Sequence, residues 1–307
     1  MKIPAYLKKG DTVAIVCTAR KFTTEEAQPA VELLESWGLK VKFGKTIGLD
    51  NFQLGGSDNE RAEDFQAMLN DDSVKAIWCA RGGYGTVRII DKINFSKFTQ
   101  HPKWIIGFSD VTVLHSHLHN LGIATLHSIM PFSVPKAEEK AKESLEKALF
   151  GEHLSYEIPN SPYNKKGTAK GVLVGGNLSI LYSLLGSKSS INTENKILYI
   201  EDLDEYLYHI DRMMMNLKRN GYFDKVKGII LGGMTDMHDN SIPFGMNANE
   251  IILDVCKEFD FPICFDFPAG HLPDNRALIL GKEIEFEVSE NSTKVNFNSN
   301  CELTTVN

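Results

Sequence analysis

The amino-acid sequence predicts an α/β protein with an N-terminal parallel-sheet, Rossmann-like domain and a C-terminal mixed α/β domain that contains antiparallel strands. Short continuous apolar runs alternate with amphipathic stretches, which is typical of a parallel sheet covered by helices on both faces. Apolar and charged residues alternate over 284–297, as in a hairpin with one buried face. At 307 residues the chain has also reached the size at which single cores tend to divide.

The N-terminal domain is predicted over residues 1–150. Apolar runs at 13–17, 39–43 and 74–79 are predicted strands, and a helix between the first two begins at the capping box formed by Thr23 and Glu26. The alternation continues through the segments 59–69, 86–93, 104–107, 111–119 and 124–126. A charged surface helix over 136–149 is predicted to close this unit.

The second domain is predicted over residues 169–307, after a linker at 151–168. The linker is polar, contains prolines and asparagines, and shows no periodicity. Beyond it, strands are predicted at 171–174, 196–200, 228–231 and 262–265, and helices at 177–185, 210–220 and 247–259. The hairpin over 284–297 makes this domain mixed.

Composition excludes several classes of function. The chain has 40 acidic and 33 basic residues and a formal charge of −7, with no run of lysine and arginine, which argues against nucleic-acid and anionic-membrane partners. No apolar stretch approaches the ~20 residues that span a bilayer, and no secretory signal is evident. The five cysteines are an odd number at wide spacings, which predicts reduced thiols and a cytoplasmic protein.

Ser109 is the strongest candidate nucleophile. It follows the apolar run 104–107 directly before a predicted helix, and a serine on such a sharp turn presents its hydroxyl outward. The backbone N–H of Asp110 would then point at an oxyanion formed there. Gly107 relieves crowding beneath the turn, but Val111 stands where the G-x-S-x-G motif has its second glycine. A serine that simply caps the helix is the alternative.

The segment 80–86 is a glycine-rich loop that follows the strand at 74–79. Its glycines would let backbone N–H groups approach a ligand, either as an anion cradle or as the second donor of an oxyanion hole. It lacks the Gly-Lys-Ser/Thr ending of a Walker loop, and it is not G-x-G-x-x-G. A tight turn at the sheet edge is the alternative. Ligands of open α/β sheets bind outside the carboxyl ends of strands, where both this loop and Ser109 are predicted.

His271 is the best candidate base among the nine histidines, because it stands in a Gly/Pro-bounded loop after a strand. Glu201, at the end of an apolar strand, is the candidate carboxylate to orient it, although acids here also suit a helix N-terminus. His115 and His119 share a helix face, but a metal site would need a third ligand that no motif supplies.

Together these residues resemble the LD-carboxypeptidase (muramoyltetrapeptide carboxypeptidase) family of serine peptidases, which includes microcin C self-immunity peptidases. The resemblance is carried by Gly10-Asp-Thr-Val-Ala-Ile, Ala76-Ile-Trp-Cys-Ala-Arg-Gly-Gly-Tyr-Gly85, Ile106-Gly-Phe-Ser-Asp-Val-Thr112, Gly175-Gly-Asn-Leu178, Tyr199-Ile-Glu-Asp202, Ile210-Asp-Arg-Met213 and Ala269-Gly-His271. The chain departs from the family where Arg20 ends the segment 17–20, in place of a small Pro/Ser/Gly-type loop, and again over 272–276.

The resemblance implies a triad in a cleft between the two domains, with no metal and no cofactor. The implied catalytic residues are Ser109, Glu201 and His271. The implied oxyanion donors are the N–H of Asp110 and that of Gly82 or Gly83, and the implied substrate-binding residues are Arg81, Asn177 and Arg212. Arg81, Arg212 and Arg276 are the candidates for a contact with the terminal carboxylate, and Arg81 is the first choice among them. A structural arginine that pairs with an acid to hold the glycine loop is the alternative for Arg81. A homodimer is also implied.

The function favoured by this resemblance is hydrolysis of the terminal D-alanine from murein tetrapeptides in cell-wall recycling. Hydrolysis of acyl-sulfamoyl adenylates by the same triad is the first alternative. The lack of an obvious added segment over 186–196 for gripping a nucleotide favours the peptide. A noncatalytic small-ligand binder that uses the glycine loop as an anion cradle is the second alternative. A metallohydrolase that uses His115 and His119 is a third.

Overall fold

The computed structural model describes residues 1–297, so Cys301 lies outside the described residues. The strands are β1 (Thr12–Val16), β2 (Lys40–Phe43), β3 (Val74–Cys79), β4 (Trp104–Gly107), β5 (Thr125–His127), β6 (Ser155–Pro159), β7 (Gly167–Asn177), β8 (Lys196–Leu203), β9 (Gly228–Thr235), β10 (Ile263–Cys264), β11 (Leu278–Leu280), β12 (Glu283–Val288) and β13 (Ser292–Phe297). The helices are α1 (Thr24–Ser36), α2 (Asp58–Asn70), α3 (Thr86–Ile89), α4 (Ser96–Gln100), α5 (Thr112–Asn120), α6 (Glu139–Phe150), α7 (Leu178–Ser183), α8 (Leu207–Arg219) and α9 (Ala248–Cys256).

The first sheet has the order β11-β5-β4-β3-β1-β2, and β1 to β5 are mutually parallel as predicted. β3 and β4 lie in its middle, and the side chains of Trp78 and Trp104 are fully buried. The sixth strand differs from the prediction because β11 comes from the C-terminal half and pairs antiparallel with β5. The chain therefore returns to the first sheet after building the second.

The second sheet has the order β10-β9-β8-β7-β12-β13-β6. β7 to β10 are parallel, whereas β12, β13 and β6 extend the sheet with antiparallel pairs. The predicted mixed architecture and the hairpin at 284–297 are confirmed.

The prediction that residues 151–168 form a linker without periodic structure is wrong in one respect, because this segment contains a strand. β6 spans Ser155–Pro159, pairs antiparallel with β13, and buries Tyr156 and Ile158 on alternate positions. Only two apolar residues mark this short edge strand, and polar turn residues flank it, so its alternation is too brief to read from composition. β7 also begins inside the segment, at Gly167.

The helices begin largely where the sequence predicts. The capping box before α1 is present: Thr23 Oγ1 accepts the N–H of Glu26 at 3.2 Å, and Glu26 Oε2 accepts the N–H of Thr23 at 2.8 Å. Among residues 1–297 no helix is long and apolar enough to cross a bilayer. The carboxyl ends of β4 and β8 carry the residues described next.

Candidate active site

Ser109 stands on a strained turn between β4 and α5. Its φ is +61°, a left-handed conformation that is uncommon for residues with a side chain, and a 3-10 turn over Ser109–Val111 leads into the helix. A Cβ on Gly107 would lie 2.8 Å from Val111 Cγ2, so glycine is required beneath the turn. Within the described part of the chain, the Ser109 hydroxyl makes no capping hydrogen bond, which removes the helix-cap alternative.

The glycine loop passes directly beside this serine. A Cβ on Gly82 would lie 3.2 Å from Ser109 Cβ and 3.3 Å from Ser109 Oγ. Gly83, with φ of +104°, instead lies against Arg20, whose Nε would be 2.5 Å from an added Cβ. Of the two predicted oxyanion donors, Gly82 is therefore the one packed against the hydroxyl.

Buried charged side chains hold the loop in this position. Asp110 is 1% exposed, and its Oδ2 accepts the N–H of Thr86 at 2.9 Å. Burial raises the pKa of Asp110, while hydrogen bonds from Thr86 and the charge of Arg61 oppose that rise. Arg61, fully buried on α2, donates to the carbonyl oxygens of Gly85 at 2.9 Å and of Thr18 at 2.5 Å. The sequence did not indicate Arg61, because nothing in the residue pattern of this mostly polar helix distinguishes a buried arginine from an exposed one.

His271 is held by Glu201 from the end of β8. Glu201 is fully buried, and its Oε2 lies 2.6 Å from His271 Nδ1 and accepts the backbone N–H of His271 at 3.2 Å. Burial by itself would lower the pKa of His271, but the adjacent Glu201 carboxylate outweighs it, so the pKa lies above the usual 6.5. Glycine at position 270 lets the Glu201 carboxylate come close to His271, since a Cβ on Gly270 would lie 2.6 Å from Glu201 Oε2.

Ser109 and His271 line one cavity of about 440 Å³. The ring of Phe108, the residue before Ser109, packs edge-on against His271, with the two ring centroids 4.8 Å apart. In residues 1–297, Ser109 Oγ and His271 make no direct hydrogen bond, and catalytic hydrogen bonds are often long in ligand-free sites. Arg20 and Arg81 also line the cavity, as do Asp202, Asp204 and Glu205. The site therefore offers cations and carboxylates around a serine and a histidine.

Of the predicted substrate-binding residues, Arg81 faces this cavity, and its guanidinium lies 4.0 Å from the centre of the Phe132 ring. Arg212 does not: it lines a separate depression on α8 and lies 5.1 Å from the Tyr208 ring centre. Its expected substrate contact therefore stays a prediction that the lining of this cavity does not support. Arg276 is paired with Asp274 at 2.8 Å and also lies outside the cavity.

Asn177 borders the cavity, but its side chain is already engaged. Its Nδ2 donates to Asp202 Oδ1 at 2.9 Å, and its Oδ1 accepts from Ser179 Oγ and the Ile180 N–H, which caps α7. Asp202 is 1% exposed, and burial, followed by the charge of Glu201, raises its pKa to about 7. Asn177 thus fixes Asp202 beside the Glu201–His271 pair, a role that the sequence did not indicate.

A further pair that sequence reasoning missed connects the two sheets. Asn275, 1% exposed, accepts the N–H of Gly270 at 2.8 Å through Oδ1, and the same atom lies 3.2 Å from His127 Nε2. His127 ends β5 and pairs with Gly107 in the neighbouring strand. No sequence signal could find this pair, because its two residues are 148 positions apart.

The histidines of α5 have separate surroundings. His115 is buried between Thr125 Oγ1 at 2.8 Å and the Gly107 carbonyl oxygen at 2.9 Å, whereas His117 contacts Ser189. Among the described residues no three His, Cys, Asp or Glu side chains come together as a metal site would require. The arrangement of His115 therefore gives no support to the metallohydrolase alternative.

A serine on a strained strand-to-helix turn, a histidine bound by a buried carboxylate and an adjoining glycine loop define the site of a serine hydrolase. Comparison of the chain with models of known protein families supports this class of enzyme. The profile described as "LD-carboxypeptidase N-terminal domain" matches residues 13–128, and that described as "LD-carboxypeptidase C-terminal domain" matches residues 170–286. The chain therefore belongs to the LD-carboxypeptidase family and is a serine-type carboxypeptidase, so the resemblance seen in the sequence is confirmed.

Individual relatives span nearly the whole chain. A Bacillus subtilis protein named "Probable murein peptide carboxypeptidase" is 35% identical over 95% of this chain and 93% of its own length. The "Microcin C7 self-immunity protein MccF" of Escherichia coli is 25% identical over 95% of both chains. Among solved structures, a muramoyltetrapeptide carboxypeptidase from Oxalobacter formigenes has the same fold, with a TM-score of 0.85, 22% identity and coverage of 94% of this chain and 98% of its own.

Proposed function

We propose that this protein removes the terminal D-alanine from murein tetrapeptides, and that Ser109, His271 and Glu201 form its catalytic triad. The single observation that carries the proposal is the shared cavity. Ser109 and His271 both line it, and Glu201 Oε2 hydrogen-bonds to Nδ1 of His271. Relatives named for murein peptides support the choice of substrate. They include the Bacillus subtilis protein and a "Murein tetrapeptide carboxypeptidase" of Pseudomonas aeruginosa, which is 26% identical over 90% of this chain and 92% of its own length.

In the proposed mechanism Ser109 Oγ attacks the scissile carbonyl carbon. Glu201 binds Nδ1 of His271, which leaves Nε2 to take the hydroxyl proton. The oxyanion is stabilised by the backbone N–H of Asp110 and that of Gly82. His271 then gives its proton to the departing amine, the C–N bond breaks, and an acyl-enzyme on Ser109 remains. A water activated by His271 hydrolyses that ester.

The polar walls of the cavity suit the two charged groups of such a substrate. Asp204 and Glu205 line the cavity and would supply carboxylates for the free ammonium of the diamino residue. Each also contacts a histidine, His238 at 2.5 Å and His209 at 2.6 Å respectively. Arg81 supplies a cation for the terminal carboxylate. A peptide with one free ammonium and one free carboxylate next to the scissile bond therefore complements the site.

The direct test measures D-alanine release by purified protein from tri-, tetra- and pentapeptides of both stereochemistries, with lysine or diaminopimelate as the diamino residue. We expect release from tetrapeptides whose scissile bond joins an L-centre to D-alanine. Chelator treatment serves as the control for metal-dependent contamination and is expected to leave the rate unchanged. Hydrolysis confined to other peptides, or a rate that zinc restores after chelation, would contradict the proposal.

The second candidate function is hydrolysis of acyl-sulfamoyl adenylates, which the similarity to MccF favours. Including an aspartyl or glutamyl sulfamoyl adenosine in the same panel separates this activity from murein peptide hydrolysis.

A noncatalytic binder is distinguished from an enzyme by a serine-directed phosphonate: an adduct on Ser109 supports the enzyme. Full ligand binding by a Ser109→Ala protein, with no turnover by the wild type, would support the binder.

We further propose a cytoplasmic homodimer that acts in peptidoglycan recycling. The four described cysteines are buried and unbonded, which suits a reducing compartment, and burial raises the pKa of each thiol to about 12. Cell fractionation tests the compartment, and light scattering of the purified protein tests the dimer. A periplasmic pool or a monomeric mass would contradict the respective part.

A further inference from the structure

Two arginines stand side by side in the cavity without an acidic partner. Within residues 1–297, neither Arg20 nor Arg81 has a carboxylate within ion-pair distance, and neither guanidinium makes a hydrogen bond. Arg81 is half-buried against Phe132. Burial, and next the positive charge of Arg20, lower the pKa of Arg81, so the two cations act on each other. Two neighbouring like charges are unfavourable unless an anion joins them.

Arg20 lies over the loop that adjoins the nucleophile. Its side chain packs on Gly83, where an added Cβ would lie 2.5 to 2.9 Å from three of its atoms, and its backbone N–H donates to the Gly82 carbonyl oxygen at 3.4 Å. Gly82 in turn packs against Ser109. One residue of extended chain spans about 3.3–3.6 Å. Groups attached within one residue of the scissile carbonyl therefore fall in the neighbourhood of both arginines.

We propose that Arg20 and Arg81 together bind the terminal carboxylate of the substrate, so that Arg20 is a specificity residue of this chain. The inference rests on the proposed function and adds a residue to it. The planar guanidinium fork matches a carboxylate in a bidentate geometry that lysine cannot reproduce. Phe132 orients Arg81 by contact with its ring, whereas Arg20 is exposed and closes on the anion from the solvent side.

The ligand chemistry is a carboxylate, and a murein peptide offers two near the scissile bond. One is the terminal carboxylate of D-alanine, and the other is the second carboxylate of diaminopimelate, which lysine lacks. The terminal carboxylate is the better match because Asp202, Asp204 and Glu205 line the same cavity and would repel a second anion on the side of the diamino residue. It is also present in every substrate of a carboxypeptidase.

The test measures binding to the full chain carrying Ser109→Ala, which removes turnover. Calorimetry compares a tetrapeptide that ends in a free D-alanine with its C-terminal amide, in both lysine and diaminopimelate versions. We expect the free acid to bind about 10- to 100-fold more tightly than the amide, as for a charge-assisted contact. Adding Arg20→Ala should remove most of that preference, Arg20→Lys should retain part of it, and Arg20→Ala with Arg81→Ala should lose little more than either alone.

Lys21→Ala is the matched control. Lys21 is the next residue, is also exposed and carries the same charge, but it pairs with Asp50 at 2.6 Å and does not line the cavity. We expect it to keep the full preference for the free acid.

Three results would overturn the inference: an undiminished preference after Arg20→Ala, an equal loss after Lys21→Ala, or a preference that Arg20→Ala removes only from diaminopimelate peptides. Failure of the free acid to bind the Ser109→Ala protein would do the same. Release of D-alanine by the wild-type protein is scored separately. The proposed function can therefore stand while this inference fails, and a failure of the proposed function is recognised separately by the absence of D-alanine release.

Discussion

One oxygen of Glu201 makes both hydrogen bonds to His271, to the ring at Nδ1 and to the backbone N–H. The arrangement fixes the ring orientation and, because Nδ1 donates to the carboxylate, leaves Nε2 as the nitrogen that can act as a base. Because Glu201 is fully buried, its carboxylate is not screened by water, and its effect on the imidazole is strong.

Loss of either reacting residue is expected to abolish turnover. Ser109→Ala and His271→Ala should each lower kcat on the order of 10⁴- to 10⁶-fold, because triad members act as one unit, and Glu201→Gln should cost less, on the order of 10²- to 10⁴-fold. Single-turnover kinetics on purified variants measure this. Ser183→Ala, an exposed serine on α7, is the control and should be unaffected. Near wild-type D-alanine release by Ser109→Ala would refute the serine mechanism.

The pH profile should report the state of His271. The imidazole acts as a base only when Nε2 is unprotonated, so kcat/KM is expected to fall as pH drops through the His271 pKa, which Glu201 raises above 6.5. Glu201→Gln removes that charge and should move this acidic limb to lower pH. Asp202→Asn should move it less, because Asp202 affects the imidazole more weakly. The measurement is kcat/KM of the wild type and both variants across about pH 5 to 8. An acidic limb that stays in place in Glu201→Gln would show that Glu201 does not raise the His271 pKa.

The residues of the proposed triad could be singled out in the sequence because each of them lies at, or shortly after, the end of an element that the sequence displays. Ser109 and Glu201 follow apolar strands, and His271 lies in a glycine- and proline-bounded loop. Arg20 and Arg212 could not be ranked in this way. Which arginine lines a cavity depends on how distant segments pack: Arg212 lines a separate depression on α8, whereas the segment after β1 brings Arg20 over the glycine loop.

At the scale of elements, the site depends on turns that only glycine can form. The loop between β10 and β11 carries His271, and Gly270 within it has a φ of +105°. Its missing side chain leaves the space that Glu201 Oε2 occupies, 2.6 Å from where a Cβ would stand. By contrast, the short strand β6 escaped prediction because two buried residues are too few to establish an alternation.

Gly270→Ala should therefore impair both stability and catalysis. A left-handed conformation at a residue with a side chain costs about 1–3 kcal/mol, and displacement of Glu201 should lower kcat by at least about 10²-fold. Gly245→Ala is the matched control, because Gly245 has a similar φ of +89° but nothing within 4 Å of its added Cβ. Denaturant unfolding and kcat are measured for both. Equal loss of kcat in the two variants would show that strain alone, and not contact with Glu201, is responsible.

At the scale of the molecule, the residues of the proposed triad are divided between the two sheets. Ser109 follows a strand of the first sheet, while Glu201 and His271 belong to the second sheet and its connecting loop. The position of Ser109 relative to His271 therefore depends on contacts between the two sheets. The clearest is the bond from His127, beside the nucleophile strand, to Asn275, which also holds the N–H of Gly270. Asn275 is therefore a positioning residue for His271.

Asn275→Ala is expected to lower kcat about 10- to 100-fold while KM changes little, because the substrate contacts remain and only the histidine loop loses its support. Stability should fall by about 1–3 kcal/mol, since two buried donors lose their acceptor. The control is Asn291→Ala, which lies in the exposed turn between β12 and β13. An unchanged kcat, or a loss fully explained by a smaller folded fraction, would argue against positioning.

The return of β11 to the first sheet also bears on how the chain is made. β5 ends at His127, whereas the strand that pairs with its outer edge begins only at Leu278, about 150 residues later. At a synthesis rate of about 5–20 residues per second, that edge waits roughly 8–30 s on the ribosome before its partner exists. An unpaired edge can recruit other strands, and the three-residue length of β5 limits that risk. The first sheet is therefore completed only after the strands of the second sheet up to β10 have been synthesised.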